Sequence, residues 1–133
     1  MQMQDVGPMS QYKVLIVDDH ELVRRGLKDI LRGTEFEVCG EAHNGQEGLA
    51  QTMSLRPTVV LLDMSMPVLT GLQAATKIRQ ALPRTKILIV TMHDSPQMEI
   101  EARAAGADAY ITKTAAAMSL VEAMRALVGT SNA

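Results

Sequence analysis

Short apolar runs alternate with longer stretches of helical periodicity along the chain, and this alternation occurs five times. Three of the apolar runs are almost unbroken Val, Ile and Leu, which is typical of central strands that are covered on both faces. Strands that alternate with helices predict one α/β domain with a parallel sheet. The predicted strands are Lys13 to Val17, Phe36 to Glu41, Thr58 to Leu62, Lys86 to Thr91 and Ala109 to Thr112.

The stretches between these runs carry the signals of amphipathic helices. Asn44, with Glu47 three residues later, predicts a helix N-cap with a capping box, and Ser95 before Pro96 predicts a second N-cap. Gly33 and Gly106 fall where helices are expected to end. Two sets of apolar residues recur at helical spacing: Leu22, Val23, Leu27, Ile30 and Leu31 near the start, and Leu120, Val121, Met124, Leu127 and Val128 near the end.

The two ends of the chain lack this patterning. Residues 1–11 are polar and uneven, and residues 129–133 are small and polar, so we expect a flexible N-terminal extension and a tail or the start of a linker. Residues 12–128 are expected to form the domain.

Composition suits a compact domain and excludes several classes of protein. The chain has 133 residues, of which 47% are hydrophobic, and its 13 basic residues are scattered among 15 acidic ones, which does not suggest direct nucleic-acid binding. A single cysteine, Cys39, is interpreted as a small core residue. No signal peptide and no apolar segment long enough to span a bilayer are found, so a cytoplasmic location without a membrane partner is expected.

Acidic residues directly follow two of the predicted strands. Asp18 and Asp19 come after the first strand, and Asp63 comes after the third. Because parallel strands end at one edge of the sheet, we expect the three carboxylates to lie together, where a divalent metal would offset their charge. Either Asp18 or Asp19 alone would be explained equally well as the N-cap of the first helix, but capping does not explain three acids. Two further polar residues, Thr91 and Lys113, end the fourth strand and follow the fifth.

With these residues the chain closely resembles the receiver domain of bacterial two-component response regulators, most like the NarL/LuxR-type subfamily. The resemblance covers residues 12–128 and implies a (βα)5 doubly wound fold with the flavodoxin-like strand order 2-1-3-4-5. It also implies DNA binding only through a C-terminal domain that is absent from this chain. The segments that carry it are Val17-Asp18-Asp19-His20, Leu62-Asp63-Met64-Ser65-Met66-Pro67, Val90-Thr91-Met92-His93-Asp94 and Tyr110-Ile111-Thr112-Lys113.

The resemblance implies a role for each residue at this edge. Asp63 would accept a phosphoryl group, while Asp18, Asp19, Asp63 and the backbone carbonyl of Ser65 would hold Mg²⁺, with Mn²⁺ as an alternative ion. Lys113 and Thr91 would contact phosphoryl oxygens. The phosphodonor would be a histidine kinase or a small molecule, and phosphorylation would switch protein contacts, including homodimerisation, and through the absent domain control transcription.

The remaining residues of the resembling segments are expected to tune or transmit this chemistry. Tyr110 occupies the position of a switch aromatic that would couple to Thr91. Ser65 and His93 would set the lifetime of the acyl phosphate. His20 and His93 are interpreted as residues of the site rim, because carboxylate sites for Mg²⁺ rarely use imidazole.

One departure and two alternatives accompany the resemblance. Many receivers carry a proline after the lysine in a cis peptide, and here the residue is Thr114, which leaves a trans bond or a strained cis bond. A metal-dependent phosphohydrolase with an aspartyl-phosphate intermediate would share the nucleophile, but such enzymes usually have an acid where Ser65 lies. An FMN-binding flavodoxin-like protein would share the topology, but its phosphate loop would not carry Asp18 and Asp19, and aromatic residues are only 2% of the chain.

Overall fold

A computed structural model describes residues 12–129, in which five strands alternate with five helices. The expected extension over 1–11 and most of the expected tail therefore lie outside the described residues. The elements are β1 (Tyr12–Val17), α1 (Glu21–Leu31), β2 (Phe36–Ala42), α2 (Gly45–Leu55), β3 (Val59–Leu62), α3 (Gly71–Ala81), β4 (Lys86–Thr91), α4 (Pro96–Ala104), β5 (Ala109–Thr112) and α5 (Lys113–Val128). All five predicted strands are confirmed within one residue at each end.

The strands form one parallel sheet in the order β2-β1-β3-β4-β5, as expected for this fold. The three central strands β1, β3 and β4 are the runs rich in Val, Ile and Leu, and their apolar residues are almost fully buried. The register pairs Val17 with Leu62 and Leu62 with Ile89, so these strands end nearly level. Residues that follow them are therefore brought to one edge.

Two hydrophobic cores cover the two faces of the sheet. Leu15 and Val17 of β1 belong to the core that α2, α3 and α4 cover, whereas Val14 and Ile16 belong to the core beneath α1 and α5. This alternation follows from the two-residue period of a strand, because successive side chains point to opposite faces. The helices thus lie on both sides of the sheet, and the fold is doubly wound.

The predicted helix boundaries are largely confirmed. Asn44 caps α2 by accepting a hydrogen bond from the Glu47 backbone N–H, and Ser95 caps α4 by accepting from Met98 with Pro96 in the first turn. The capping box predicted at Asn44 is wrong in one half, because the Glu47 carboxylate accepts from the His43 backbone N–H, one residue before the cap. Gly33 and Gly106 follow α1 and α4 with φ of +80° and +115°, which glycine adopts without strain.

One residue of the predicted apolar stripe of α1 does not face the core. Leu27 and Leu31 are buried and Val23 and Ile30 are partly buried, but the side chain of Leu22 is 77% exposed. Leu22 precedes Leu27 by five residues, which places it about 140° around the helix from the buried face at 3.6 residues per turn. Leu22 therefore does not share the buried face of α1 with the other four apolar residues.

Candidate functional site

Polar side chains from four strand ends meet at the carboxyl edge of the sheet. Asp18 and Asp19 follow β1, Asp63 follows β3, Thr91 is the last residue of β4, and Lys113 begins α5 directly after β5. The backbone N–H of Asp63 donates to the Val17 carbonyl at 3.0 Å, which extends the pairing of β1 and β3 to the acids themselves. The parallel register thus brings Asp18 and Asp63 side by side.

Lys113 connects the two buried carboxylates. Its Nζ lies 2.7 Å from Asp18 Oδ2 and 3.3 Å from Asp63 Oδ1. All three groups are almost removed from solvent, with side-chain exposures of 10% for Lys113, 2% for Asp18 and 6% for Asp63. Because the pairs are buried and within direct contact, they interact far more strongly than ion pairs at the protein surface.

The charge at this edge remains negative after this pairing. Burial raises the pKa of Asp63 above its usual value, the neighbouring Asp18 carboxylate adds to the effect, and the Lys113 ammonium opposes it. Burial acts to lower the pKa of Lys113, but the hydrogen bond and charge of Asp18, together with Asp63, raise it above the usual value. One ammonium faces three carboxylates, so the donor set fits a divalent cation with a preference for oxygen ligands.

The turn between β1 and α1 brings His20 against both acids. Asp18 Oδ1 accepts from the His20 backbone N–H at 2.9 Å, and His20 Nδ1 lies 3.2 Å from Asp18 Oδ1 and 3.1 Å from Asp19 Oδ1. Ligand atoms of these three residues all lie within 4.8 Å of one another. His20 itself is the N-cap residue of α1 and its side chain makes no capping bond, so neither acid is explained as the N-cap. The imidazole is 65% exposed, which agrees with a rim position, although its contact with the acids was not predicted.

Thr91, His93 and Tyr110 are connected by hydrogen bonds beside the acids. Thr91 is 1% exposed, and its Oγ1 accepts from the His93 backbone N–H at 3.2 Å. The Tyr110 hydroxyl donates to the His93 backbone carbonyl. Burial raises the pKa of Tyr110 above its usual value, so the hydroxyl remains a donor at neutral pH. Thr91 and Tyr110, the two residues that were expected to act together, therefore both hold the loop after β4.

The loop between β3 and α3 begins at Asp63, the nucleophile candidate, and Ser65 is exposed in this loop. Met64 and Met66 are buried at 4% and 7% exposure and anchor the loop to the core. The Lys113–Thr114 peptide is trans, because no cis bond occurs within residues 12–129. Lys113 thus reaches both acids without the cis geometry found in many receivers.

Gly71 is a site residue that the sequence analysis missed. A Cβ atom at this position would lie 2.0 Å from the Asp63 carbonyl oxygen, so only glycine lets the first turn of α3 approach the backbone of Asp63 so closely. Its N–H donates to the Met64 carbonyl at 2.9 Å. The available signal was a glycine directly after Thr70, the N-cap of α3.

Comparisons with known proteins agree with this geometry. A family model for the response regulator receiver domain matches residues 14–125. The response regulator protein VraR of Staphylococcus aureus is 39% identical over 114 residues, which cover 85% of this chain and 54% of that protein. The chain therefore spans about half the length of this curated relative.

Solved structures give the same result. The receiver domain of NarL from Mycobacterium tuberculosis has a TM-score of 0.83 and 31% identity, covering 90% of this chain and 98% of that one. A LuxR-family DNA-binding response regulator from Staphylococcus aureus has a TM-score of 0.82 and 27% identity, covering 88% and 98% of the two chains.

None of the helices within residues 12–129 combines the length and apolar composition that a bilayer crossing requires.

Proposed function

We propose, since the chain belongs to the response regulator receiver domain family of two-component signalling, that it accepts a phosphoryl group on Asp63. The observation that carries the proposal is the setting of this carboxylate. Asp63 is 5% exposed at the end of β3, with Asp18 beside it and the Lys113 ammonium in contact with both. A buried carboxylate with a raised pKa and one lysine partner is typical of a reactive group rather than of a completed ion pair.

Mg²⁺ is the cofactor that these residues fit best, with Mn²⁺ as the alternative ion. Asp18, Asp19 and Asp63 would hold it together with the backbone carbonyl of Ser65, an all-oxygen set that hard cations prefer. When bound, the ion would neutralise phosphoryl oxygens and so permit an anion to approach Asp63.

The chain's own side chains supply the rest of the chemistry. A carboxylate oxygen of Asp63 attacks phosphorus and forms an acyl phosphate, while the bond between phosphorus and the donor breaks and its electron pair leaves with the donor. Lys113 offers an ammonium to one phosphoryl oxygen and Thr91 a hydroxyl to another. Water later cleaves the acyl phosphate, and Ser65 and His93, which flank the site, set the rate of that step.

The output would follow from the hydrogen-bonded group formed by Thr91, His93 and Tyr110. If Thr91 moves toward the phosphoryl group, it loosens its bond to the His93 backbone, to which the Tyr110 hydroxyl also binds. Phosphorylation would thereby shift the population of the loop between β4 and α4 and the protein contacts made there, including homodimerisation. The domain is regulatory and promotes only its own phosphorylation and dephosphorylation.

The wider role would be control of transcription in response to a histidine kinase. This part of the proposal rests on VraR, which is longer than the chain, and on the structural similarity to a DNA-binding response regulator. Within such a protein the receiver would not contact DNA itself, and a C-terminal domain would do so.

The test is the intact mass of the protein after incubation with Mg²⁺ and acetyl phosphate. We expect one phosphoryl adduct per chain, and none in Asp63→Asn or after removal of the metal by a chelator. Asp108→Asn is a matched control, because it removes a carboxylate from the opposite edge of the sheet and should leave the adduct in place. An adduct that persists in Asp63→Asn would contradict the assignment.

Two other outcomes would replace the proposal. Multiple turnover of a phosphomonoester would indicate a metal-dependent phosphohydrolase. Co-purification of FMN would indicate a flavodoxin-like protein, although the acids after β1 would repel its phosphate.

A further inference from the structure

Arg24 contacts the backbone of the metal-site turn and a carboxylate on the edge strand with the same guanidinium group. Its NH1 donates to the Asp18 carbonyl at 2.8 Å, and its Nε donates to Glu41 Oε1 at 3.0 Å. The side chain is only 16% exposed, so these bonds are largely shielded from water. The proposed phosphoryl chemistry leaves this residue without a role.

Asp18 is held to the end of β2 by both of its peptide groups. Its N–H donates directly to the Ala42 carbonyl at 3.0 Å, and its C=O is linked through Arg24 to the side chain of Glu41. The Asp18 carbonyl lies in the plane of the peptide group that joins Asp18 to Asp19. Fixing this plane fixes the directions in which the Asp18 and Asp19 side chains leave the backbone.

Glu41 also forms an ion pair with a second cation. Lys28 Nζ lies 2.7 Å from Glu41 Oε2, and the Glu41 backbone carbonyl accepts from Gln51 Nε2 at 2.8 Å. The hydrogen bond from Lys28, opposed by burial and aided by Arg24, lowers the pKa of Glu41 below its usual value, so the carboxylate stays charged at neutral pH. Its negative charge offsets the Arg24 charge, which would otherwise repel a cation held by Asp18 and Asp19.

We propose that Arg24 is a positioning residue for binding of the divalent cation. It holds the Asp18–Asp19 peptide against Glu41 and thereby orients the two acids that would bind the ion. The inference rests on the proposed function, because it concerns the ion that the acids would bind. Arginine suits the role because its planar fork offers two donors in fixed directions, whereas lysine offers one point charge. Groups that do not contact the metal but orient its ligands typically contribute about tenfold or more to metal affinity.

The experiment is a calorimetric titration of Mg²⁺ into the unphosphorylated protein and its variants. We expect Arg24→Ala to weaken Mg²⁺ binding about tenfold. Arg24→Lys, which keeps the charge but not both hydrogen bonds, should weaken it severalfold. Thermal unfolding of each variant establishes that it is folded at the titration temperature. If Arg24→Ala does not fold, Arg24→Lys decides the question by itself.

Lys28→Ala is the matched control, because Lys28 shares the Glu41 carboxylate with Arg24 but has no bond to Asp18. We expect its Mg²⁺ affinity to stay within about twofold of the wild type, as should that of the exposed Arg25→Ala. Equal losses in Lys28→Ala and Arg24→Ala would overturn the inference, because a general effect of the ion-pair network would then explain both. Unchanged or tighter binding in both Arg24 variants would also overturn it. Absence of Mg²⁺ binding by the wild type would instead contradict the proposed function.

Discussion

Carboxylates lie at both edges of the parallel sheet, but their partners differ. At the amino edge, Asp108 precedes β5 and accepts both from the Arg79 guanidinium and from the Ile87 backbone N–H. Arg79 also donates to the carbonyls of Pro83, Thr85 and Gly106, so its donors are well supplied with acceptors. At the carboxyl edge, by contrast, one lysine serves two buried acids and a third lies beside them.

The difference separates a structural ion pair from a cluster that we expect to bind a ligand. A pair whose charges and hydrogen bonds are all matched within the chain has nothing left to offer a ligand. A cluster with an excess of buried negative charge is costly by itself, and it persists in proteins where a ligand or a reaction uses it. Exchanging a carboxylate for an amide should therefore change the free energy of unfolding in opposite directions at the two edges.

The largest effect on stability is expected at the amino edge. Arg79→Ala leaves Asp108 with an unpaired charge and removes donors from three carbonyls, and we expect a loss of about 3 kcal/mol in the free energy of unfolding. Urea denaturation measures this loss. Phosphorylation of Asp63 should persist under conditions where the variant is folded. A loss below about 0.5 kcal/mol, the level of an ordinary surface change, would show that the Arg79–Asp108 pair contributes little to the free energy of unfolding.

The second prediction exchanges a single carboxylate for an amide at each edge. Asp63→Asn removes the repulsion from Asp18 while Lys113 keeps its shorter contact, so we expect a gain of about 1 kcal/mol in metal-free buffer. Asp108→Asn removes the charge that Arg79 faces, and we expect a loss of about 2 kcal/mol. Parallel urea denaturation of both variants and the wild type measures the two effects. Changes of the same sign would contradict the comparison.

The pKa of Asp63 gives the pH dependence of that gain. Its folded pKa lies above the ordinary value of 3.8, so the fold favours the protonated form and the wild type loses stability as the pH rises through the folded pKa. The advantage of Asp63→Asn should therefore be small near pH 3.8 and grow as the pH rises.

Of the two edges, only the polar cluster at the carboxyl edge could be predicted from the sequence. Apolar runs located the strand ends, and because parallel strands end together, Asp18, Asp63 and Lys113 could be expected to meet. Nothing local indicated that Arg79 would reach Asp108, which lies 29 residues away, or that Arg24 would reach Glu41, 17 residues away. Long side chains choose partners according to the packing of helices on the sheet, which residue periodicity does not specify.

A smaller effect is expected from backbone strain, which also differs between the edges. Val68 lies in the loop beside Asp63 with φ of +72° and is 75% exposed, whereas Arg56 lies at the opposite edge with φ of +49°. The left-handed conformation costs about 1–2 kcal/mol for a residue with a Cβ and more for a β-branched one, while glycine costs about 0.5–1 kcal/mol in chain entropy. We expect Val68→Gly to stabilise the protein by up to about 1 kcal/mol and Arg56→Gly to have an effect nearer zero. Denaturation midpoints that rank the two variants in the reverse order would argue against stored strain at Val68.

The smallest effect concerns Glu35, another acid of the amino edge with an arginine of its own. Glu35 accepts from Arg125 Nε at 2.7 Å and from Arg125 NH2 at 2.9 Å, and this hydrogen bonding lowers the pKa of Glu35 from 4.5 to about 2. Because the folded pKa is depressed, the pair stabilises the fold fully above pH 4.5 and loses its effect as the pH falls through about 2. The Arg125 side chain is 44% exposed, so solvent screening keeps the contribution to stability small, well below what the pKa change alone would suggest.

Glu35→Gln measures this contribution, because glutamine keeps the shape of the side chain without its charge. The wild type should have a slightly larger free energy of unfolding than the variant at neutral pH, and the two values should converge as the pH approaches 2. This dependence is opposite to that of Asp63, whose charge destabilises the fold as it forms. If instead the Glu35→Gln difference grew on acidification, the pair at Arg125 would resemble the acids of the carboxyl edge. Charge matching would then no longer distinguish the two edges of the sheet.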